Sequence, residues 1–113
     1  MRARRARHLW RIGAVILIVS LGVAALAASA GGSRVRASNF KFKPGTITIQ
    51  KGQSVTWKRI NGRHTVTLKN GSFDKVLSQS HPRRSLRFKR RGTFRYYCRF
   101  HRTLGMKGKV VVQ

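Results

Sequence analysis

Cys98 is the only cysteine of the 113-residue chain, and it opens the run Cys98-Arg99-Phe100-His101-Arg102-Thr103-Leu104-Gly105-Met106. A thiol, an imidazole and a thioether follow one another with the spacing Cys-x2-His-x4-Met. A second imidazole, His64, lies upstream in Gly62-Arg63-His64-Thr65-Val66-Thr67. Soft sulfur donors suit Cu(I), and imidazole suits both Cu(I) and Cu(II). Two histidines and a cysteine in a trigonal set, with a weak axial methionine, make the donor set of a copper site that passes electrons. The candidate metal ligands are therefore His64, Cys98, His101 and Met106, and the cofactor they imply is one copper ion.

Four such side chains need a scaffold that brings them to one place. After residue 38 the chain alternates apolar and polar residues in short runs, broken by Pro44-Gly45, Lys51-Gly52, Asn61-Gly62, Asn70-Gly71 and Arg91-Gly92. Asn-Gly is a hairpin-type turn signal. Short strands with turns at such spacing indicate an all-β sandwich or small barrel. Phe94, Tyr96 and Cys98 share one face of a strand, so Cys98 ends that strand and the next loop carries His101 and Met106. His64 begins a different strand. The amides after His64 and Cys98 are candidates to support the ligands, as donors near a metal centre orient them. Phe40, Phe42, Trp57, Tyr96 and Tyr97 read as core. Residues 69–85 are the least regular part and read as a loop with at most a short helical turn.

The start of the chain reads differently. Residues 2–11 carry five arginines, Ile12 to Ala30 is free of charge, and Ala28-Ser29-Ala30 ends the stretch with small residues. This is the pattern of a secretory signal peptide. Nineteen uncharged residues are also close to the ~20 that span a bilayer, so a membrane anchor over residues 12–30 is the alternative. The expected organisation is a leader or anchor helix over 1–30, a flexible lead-in over 31–37 and a single domain over 38–113. Either reading of the leader places that domain outside the cytoplasm, in the periplasm or the extracellular space.

Lysine and arginine total 26 against one acidic residue, a formal charge of +25. Without the five leader arginines, 21 basic side chains face Asp74 alone, a charge of +20. Paired-carboxylate catalysis is excluded by that count, and no catalytic constellation stands out, so the expected protein is not an enzyme. A Cys98–His101 nucleophile pair leaves the other two donors without a role. Such a field attracts acidic partners and is screened by salt. An acidic redox partner and a monomeric state are expected. An anionic envelope or lipid surface is the alternative partner; nucleic acid is not expected in vivo. The rival functions are a cationic polyanion-binding module and a copper store or chaperone.

The stretch from Thr93 to Val112 resembles the C-terminal signature of cupredoxins, and Gly62 to Thr67 resembles their first-histidine segment. Phe40 to Ile49 and Gly52 to Trp57 resemble their opening strands. The Cys-x2-His-x4-Met spacing is similar to that of plastocyanin and pseudoazurin. The resemblance implies a cupredoxin-like two-sheet β-sandwich with Greek-key connections and one-electron transfer at a mononuclear copper held by His64, Cys98, His101 and Met106. It implies three local differences. Thr65 stands where many relatives have Asn, which removes a hydrogen bond tying the two ligand loops. Arg102 replaces a common Pro. With that replacement, Arg63, Arg99 and Arg102 make cationic a rim that is usually apolar, and relatives are seldom as basic as this chain.

Overall fold

The computed structural model describes residues 33–113. The expected leader over 1–30 lies outside the described residues. Among those described, no helix is long and apolar enough to cross a membrane.

Period-two alternation organises the chain from Ser33 onward. Val35 and Ala37 are fully buried between exposed Arg34 and Arg36, and they form β1 (Ser33–Ser38). Most of the expected flexible lead-in is thus an ordered strand. Its two inward residues are small, so the amphipathic signal is weak. β2 (Lys41–Lys43), β3 (Thr46–Ile49), β4 (Ser54–Arg59) and β5 (His64–Leu68) follow the expected runs. The stretch 69–85 is more regular than its sequence suggests. It holds β6 (Asp74–Leu77) and the start of β7 (Arg83–Arg87), whose charged residues hide the alternation. β8 (Gly92–Tyr97) and β9 (Lys107–Val112) flank a 3-10 helix at Arg99–Leu104.

The strands form two mixed sheets. One has the order β2-β1-β4-β7, the other β3-β9-β8-β5-β6. β1 runs parallel to β4, and β3 runs parallel to β9. The remaining pairs are antiparallel. Register puts Val35 beside Trp57 in one sheet, and Phe94 beside Val110 in the other. The inward residues of both sheets form the core.

An aromatic group fills its centre. Tyr96 meets Trp57 edge-on at 5.3 Å and Phe42 edge-on at 4.8 Å. Edge-to-face pairs at such separations add attraction beyond area burial. Gly108, the cross-strand partner of Tyr96, makes room for its ring, since a Cβ at Gly108 would overlap the Tyr96 hydroxyl. Trp57, Tyr96 and Phe42 are core as expected, and Tyr97 is only half-buried. Phe40 is not core. It lies in the turn before β2, outside the strand alternation, and stays 45% exposed.

Candidate metal centre

The four candidate donors reach one end of the sandwich from β5 and from the connection between β8 and β9. His64 is the first residue of β5, after the bend at Asn61-Gly62, where Gly62 takes a left-handed φ of 76°. Cys98 follows β8, and His101 sits in the 3-10 helix. Met106 immediately precedes β9. Main-chain bonds knit this loop: Cys98 N–H donates to Met106 O at 3.0 Å, His101 N–H to Cys98 O at 3.3 Å and Met106 N–H to His101 O at 3.4 Å. Gly105, left-handed with φ 76°, ends the 3-10 helix and returns the chain to β9. His64, Cys98 and Met106 are buried, and His101 is half-buried.

Three donor atoms converge. His64 Nδ1 lies 3.3 Å from His101 Nδ1 and 4.0 Å from Cys98 Sγ. Cys98 Sγ lies 3.4 Å from His101 Nδ1. Metal bonds of about 2.0 Å to nitrogen and about 2.3 Å to sulfur, at open angles, separate donors by roughly 3.3–3.7 Å. Two of the three separations fall in that range, and the third lies a few tenths of an ångström beyond it. Met106 is held to the group through its carbonyl bond to Cys98.

The chemistry of the cluster calls for a cation. His64 Nε2 lies 2.7 Å from Asn61 O, which can only accept, so Nε2 carries the proton. Burial lowers the His64 pKa below its usual value, and the charges of His101 and Arg59 lower it further; only the bond to Asn61 opposes them. A neutral ring protonated at Nε2 presents a bare lone pair at Nδ1. That lone pair faces a second imidazole nitrogen and a sulfur. One proton can satisfy one of the three facing pairs. One cation satisfies all of them.

Thr65 N–H donates to Cys98 Sγ at 3.4 Å, as expected for the amide after His64. The amide after Cys98 behaves otherwise: Arg99 N–H donates to Thr65 Oγ1 at 2.8 Å. The expected loss of a tie between the ligand loops is therefore corrected, because the threonine hydroxyl supplies one. The tie extends further. Thr65 Oγ1 and Thr67 Oγ1 lie 3.0 Å apart, and the Thr67 hydroxyl donates to Asp74 Oδ1 at 2.7 Å. Arg99 Nε donates to the same oxygen at 3.0 Å, closing a ring. The bond from Thr67, then that from Arg99, holds the Asp74 carboxyl below its ordinary pKa. Sequence reasoning gave Asp74 no part here. The available signal was its place as the sole side-chain carboxylate among many cations.

The rim is both cationic and apolar. Arg63 and Arg99 lie over the Phe100 ring at 5.0 and 5.4 Å, and Arg102 lies over Tyr97 at 4.6 Å. Phe40 packs on His101 with ring centroids 4.7 Å apart. Among the described residues, Phe40, Ile60, Phe100 and Leu104 are the large apolar residues left exposed. The arginines thus flank an apolar surface and do not replace it.

A two-sheet sandwich with a histidine–cysteine–histidine cluster at one end defines the cupredoxin class. The chain belongs to the plastocyanin/azurin family of copper-binding proteins, whose family model matches residues 30–113. Chloroplastic plastocyanin of Tetradesmus obliquus is 31% identical over 103 residues, covering 79% of this chain and 71% of its own. Plastocyanin of Scenedesmus fuscus is 30% identical over 84 residues, 64% of this chain and 86% of its own. Among solved structures, oxidized plastocyanin of Dryopteris crassirhizoma superposes with a TM-score of 0.64 at 25% identity, covering 72% of this chain and all of its own. The Cu(I) form of an amicyanin variant gives a TM-score of 0.66 at 26% identity, covering 77% and 87%. The cofactor is a single copper ion of the type 1 kind.

Proposed function

We propose that the protein carries single electrons between redox partners outside the cytoplasm, using one copper held by His64, Cys98, His101 and Met106. The observation that carries this reading is the convergence of His64 Nδ1, His101 Nδ1 and Cys98 Sγ with a lone pair directed inward. Bound copper supplies one-electron cycling between Cu(I) and Cu(II). Related structures support such cycling: a fern plastocyanin variant is described in oxidized and reduced forms, and an amicyanin variant as Cu(I).

The chain's own residues serve that task by staying still. The β5 hydroxyl ring and the loop's main-chain bonds fix the donors, so a change of one charge meets a rigid cage. His101 is the donor nearest solvent, and Phe40 covers its ring. An apolar rim lets a partner approach closely and exclude water there. The net charge of +20 outside the leader favours an acidic partner and speeds encounter at low salt. Burial of His64, Cys98 and Met106 disfavours the ligand exchange a copper store needs.

The test is a copper titration followed by absorption. One equivalent of Cu(II) should give an intense blue band, and Cys98→Ser should abolish it. Stoichiometric Cu(II) binding without colour in the unaltered protein refutes a copper–thiolate centre.

A further inference from the structure

The outer face of the five-stranded sheet carries a second feature, whose lining includes none of the candidate donors. A cavity of about 300 Å3 is walled by Lys69, Arg95, Lys107 and Lys109, with Gly45, Thr46, Tyr96 and Gly108 between them. Lys107 and Lys109 are two apart on β9 and share a face. Arg95 sits directly opposite Lys109 on β8. Like charges placed opposite each other across two strands destabilise a sheet.

No side-chain carboxylate relieves this group. The chain has one acidic residue, and Asp74 is on edge strand β6, bonded to Thr67 and Arg99. The arginines of the metal rim are occupied by Phe100, Tyr97 and Asp74. Two further hollows adjoin the cavity. Both include Lys69; one adds Arg95 beside Thr93 and Phe94, the other Lys107 beside Tyr97 and Met106. Positive charge thus continues past the cavity, mixed with neutral and aromatic lining.

We propose that this cavity binds a multivalent phosphate anion. Lysine ammonium groups bind phosphate as mobile point charges, and arginine adds a bidentate fork. The Thr46 hydroxyl adds a neutral donor. The volume lies at the small end of ligand cavities, about 300–1,000 Å3, which suits a compact, highly charged group. A free oligophosphate and a phospholipid headgroup share this chemistry. The site uses none of the four metal donors.

The experiment uses the copper-loaded protein, with tripolyphosphate as probe at constant ionic strength, followed by calorimetry and amide NMR. One equivalent should bind, with the largest shifts at Thr46, Gly108 and their neighbours. The pair Lys107→Gln and Lys109→Gln should weaken binding at least tenfold. The pair Arg34→Gln and Arg36→Gln removes the same charge from the other sheet and should weaken it less than twofold. Arg95→Gln provides a second variant at the cavity, and the blue band reports that each variant is folded. Vesicles of phosphatidylglycerol in phosphatidylcholine form the other arm. A larger loss for vesicles than for tripolyphosphate on Lys107→Gln/Lys109→Gln assigns the headgroup, and the reverse assigns the free anion. Equal weakening by both pairs with both probes, or shifts scattered over every basic surface, overturns the site.

Discussion

The hydroxyl of Thr65 accepts the main-chain N–H of Arg99 at 2.8 Å, so the residue after one candidate ligand holds the residue after another. The Thr65 amide also reaches Cys98 Sγ at 3.4 Å. One residue thus ties β5 to the Cys98 loop through two different atoms. Thr65→Val keeps the amide and the shape but removes the hydroxyl. Arg99 N–H then loses its partner, at a cost of about 1–2 kcal/mol. Urea unfolding of the copper-free protein should show that loss, and Thr65→Ser should restore most of it. A valine variant as stable as the parent means the hydroxyl bond does not hold the loop.

Asp74 makes the acid limb of stability unusual. Most proteins unfold in acid because many carboxylates must protonate. Here a single side-chain carboxylate exists. Its pKa is lowered in the folded state by Thr67 and Arg99. A depressed carboxylate stabilises the fold above its unfolded pKa, and that contribution disappears as pH falls through the folded value. Buried His64, whose pKa is also lowered in the fold, removes stability as pH falls below its usual value near 6.5. Between pH 5 and pH 2 the copper-free protein should in addition lose the Asp74 contribution as a shallow step. Asp74→Asn should start lower, lack the Asp74 step and keep the His64 part of the loss. Unfolding midpoints measured across that range in parallel check it; identical pH slopes for the two proteins contradict it.

Much of this centre is legible in the sequence because its donors are close in the chain. Cys98, His101 and Met106 fall in nine residues, and a turn signal at Asn61-Gly62 marks the strand that begins with His64. Long alternating runs such as Ser54–Arg59 are equally plain. What escapes is whatever depends on contacts between distant segments. β1 has two small inward residues and gains its order by pairing with β4. β6 and β7 are mostly charged or polar outside, so pairing with β5 and β4 defines them. Asp74 meets Arg99 across 25 positions, with no local pattern to announce it. Phe40 alternates with Phe42 in the sequence, yet the turn before β2 frees it to pack on His101.

Tyr96 sets the alkaline limb. Its hydroxyl is buried without a hydrogen-bond partner, as is the indole N–H of Trp57. Burial pushes its pKa up to about 12; the indole of Trp57 acts in the opposite sense without closing a bond. The unfolded chain loses this proton near pH 10, so the group's stabilising effect is complete below that and fades as pH rises towards the folded value. Tyr96→Phe removes an unsatisfied hydroxyl and keeps the ring against Trp57 and Phe42. It should leave stability at pH 7 unchanged or higher by about 1 kcal/mol. The stability difference, phenylalanine variant minus parent, should widen from pH 9 to pH 12. A constant difference over that range shows that the phenol is not shielded.

Gly62 gives the sharpest steric prediction. Its φ of 76° is left-handed, and a Cβ there would overlap the Asn39 side chain and lie 2.9 Å from His64 Nε2. Asn39 is fixed in turn, its N–H donating to Asn61 Oδ1 at 2.9 Å. Arg59 Nε donates to Gly62 O, so the bend is held from both sides. Gly62→Ala must therefore move either this bend or the His64 ring. Either movement weakens the bond from Nε2 to Asn61 O, which fixes the tautomer and aims Nδ1 inward. Loss of such supporting bonds typically costs about 10–100-fold in metal affinity. Competition with a copper chelator should show a loss in that range, together with a broadened or shifted blue band. Gly71→Ala is the control, since it shares the left-handed backbone but has no atom within 4 Å of its Cβ. It should cost stability alone and leave copper affinity unchanged. Equal affinities for both alanine variants and the parent mean that the bend at Asn61-Gly62 does not govern how His64 meets the metal.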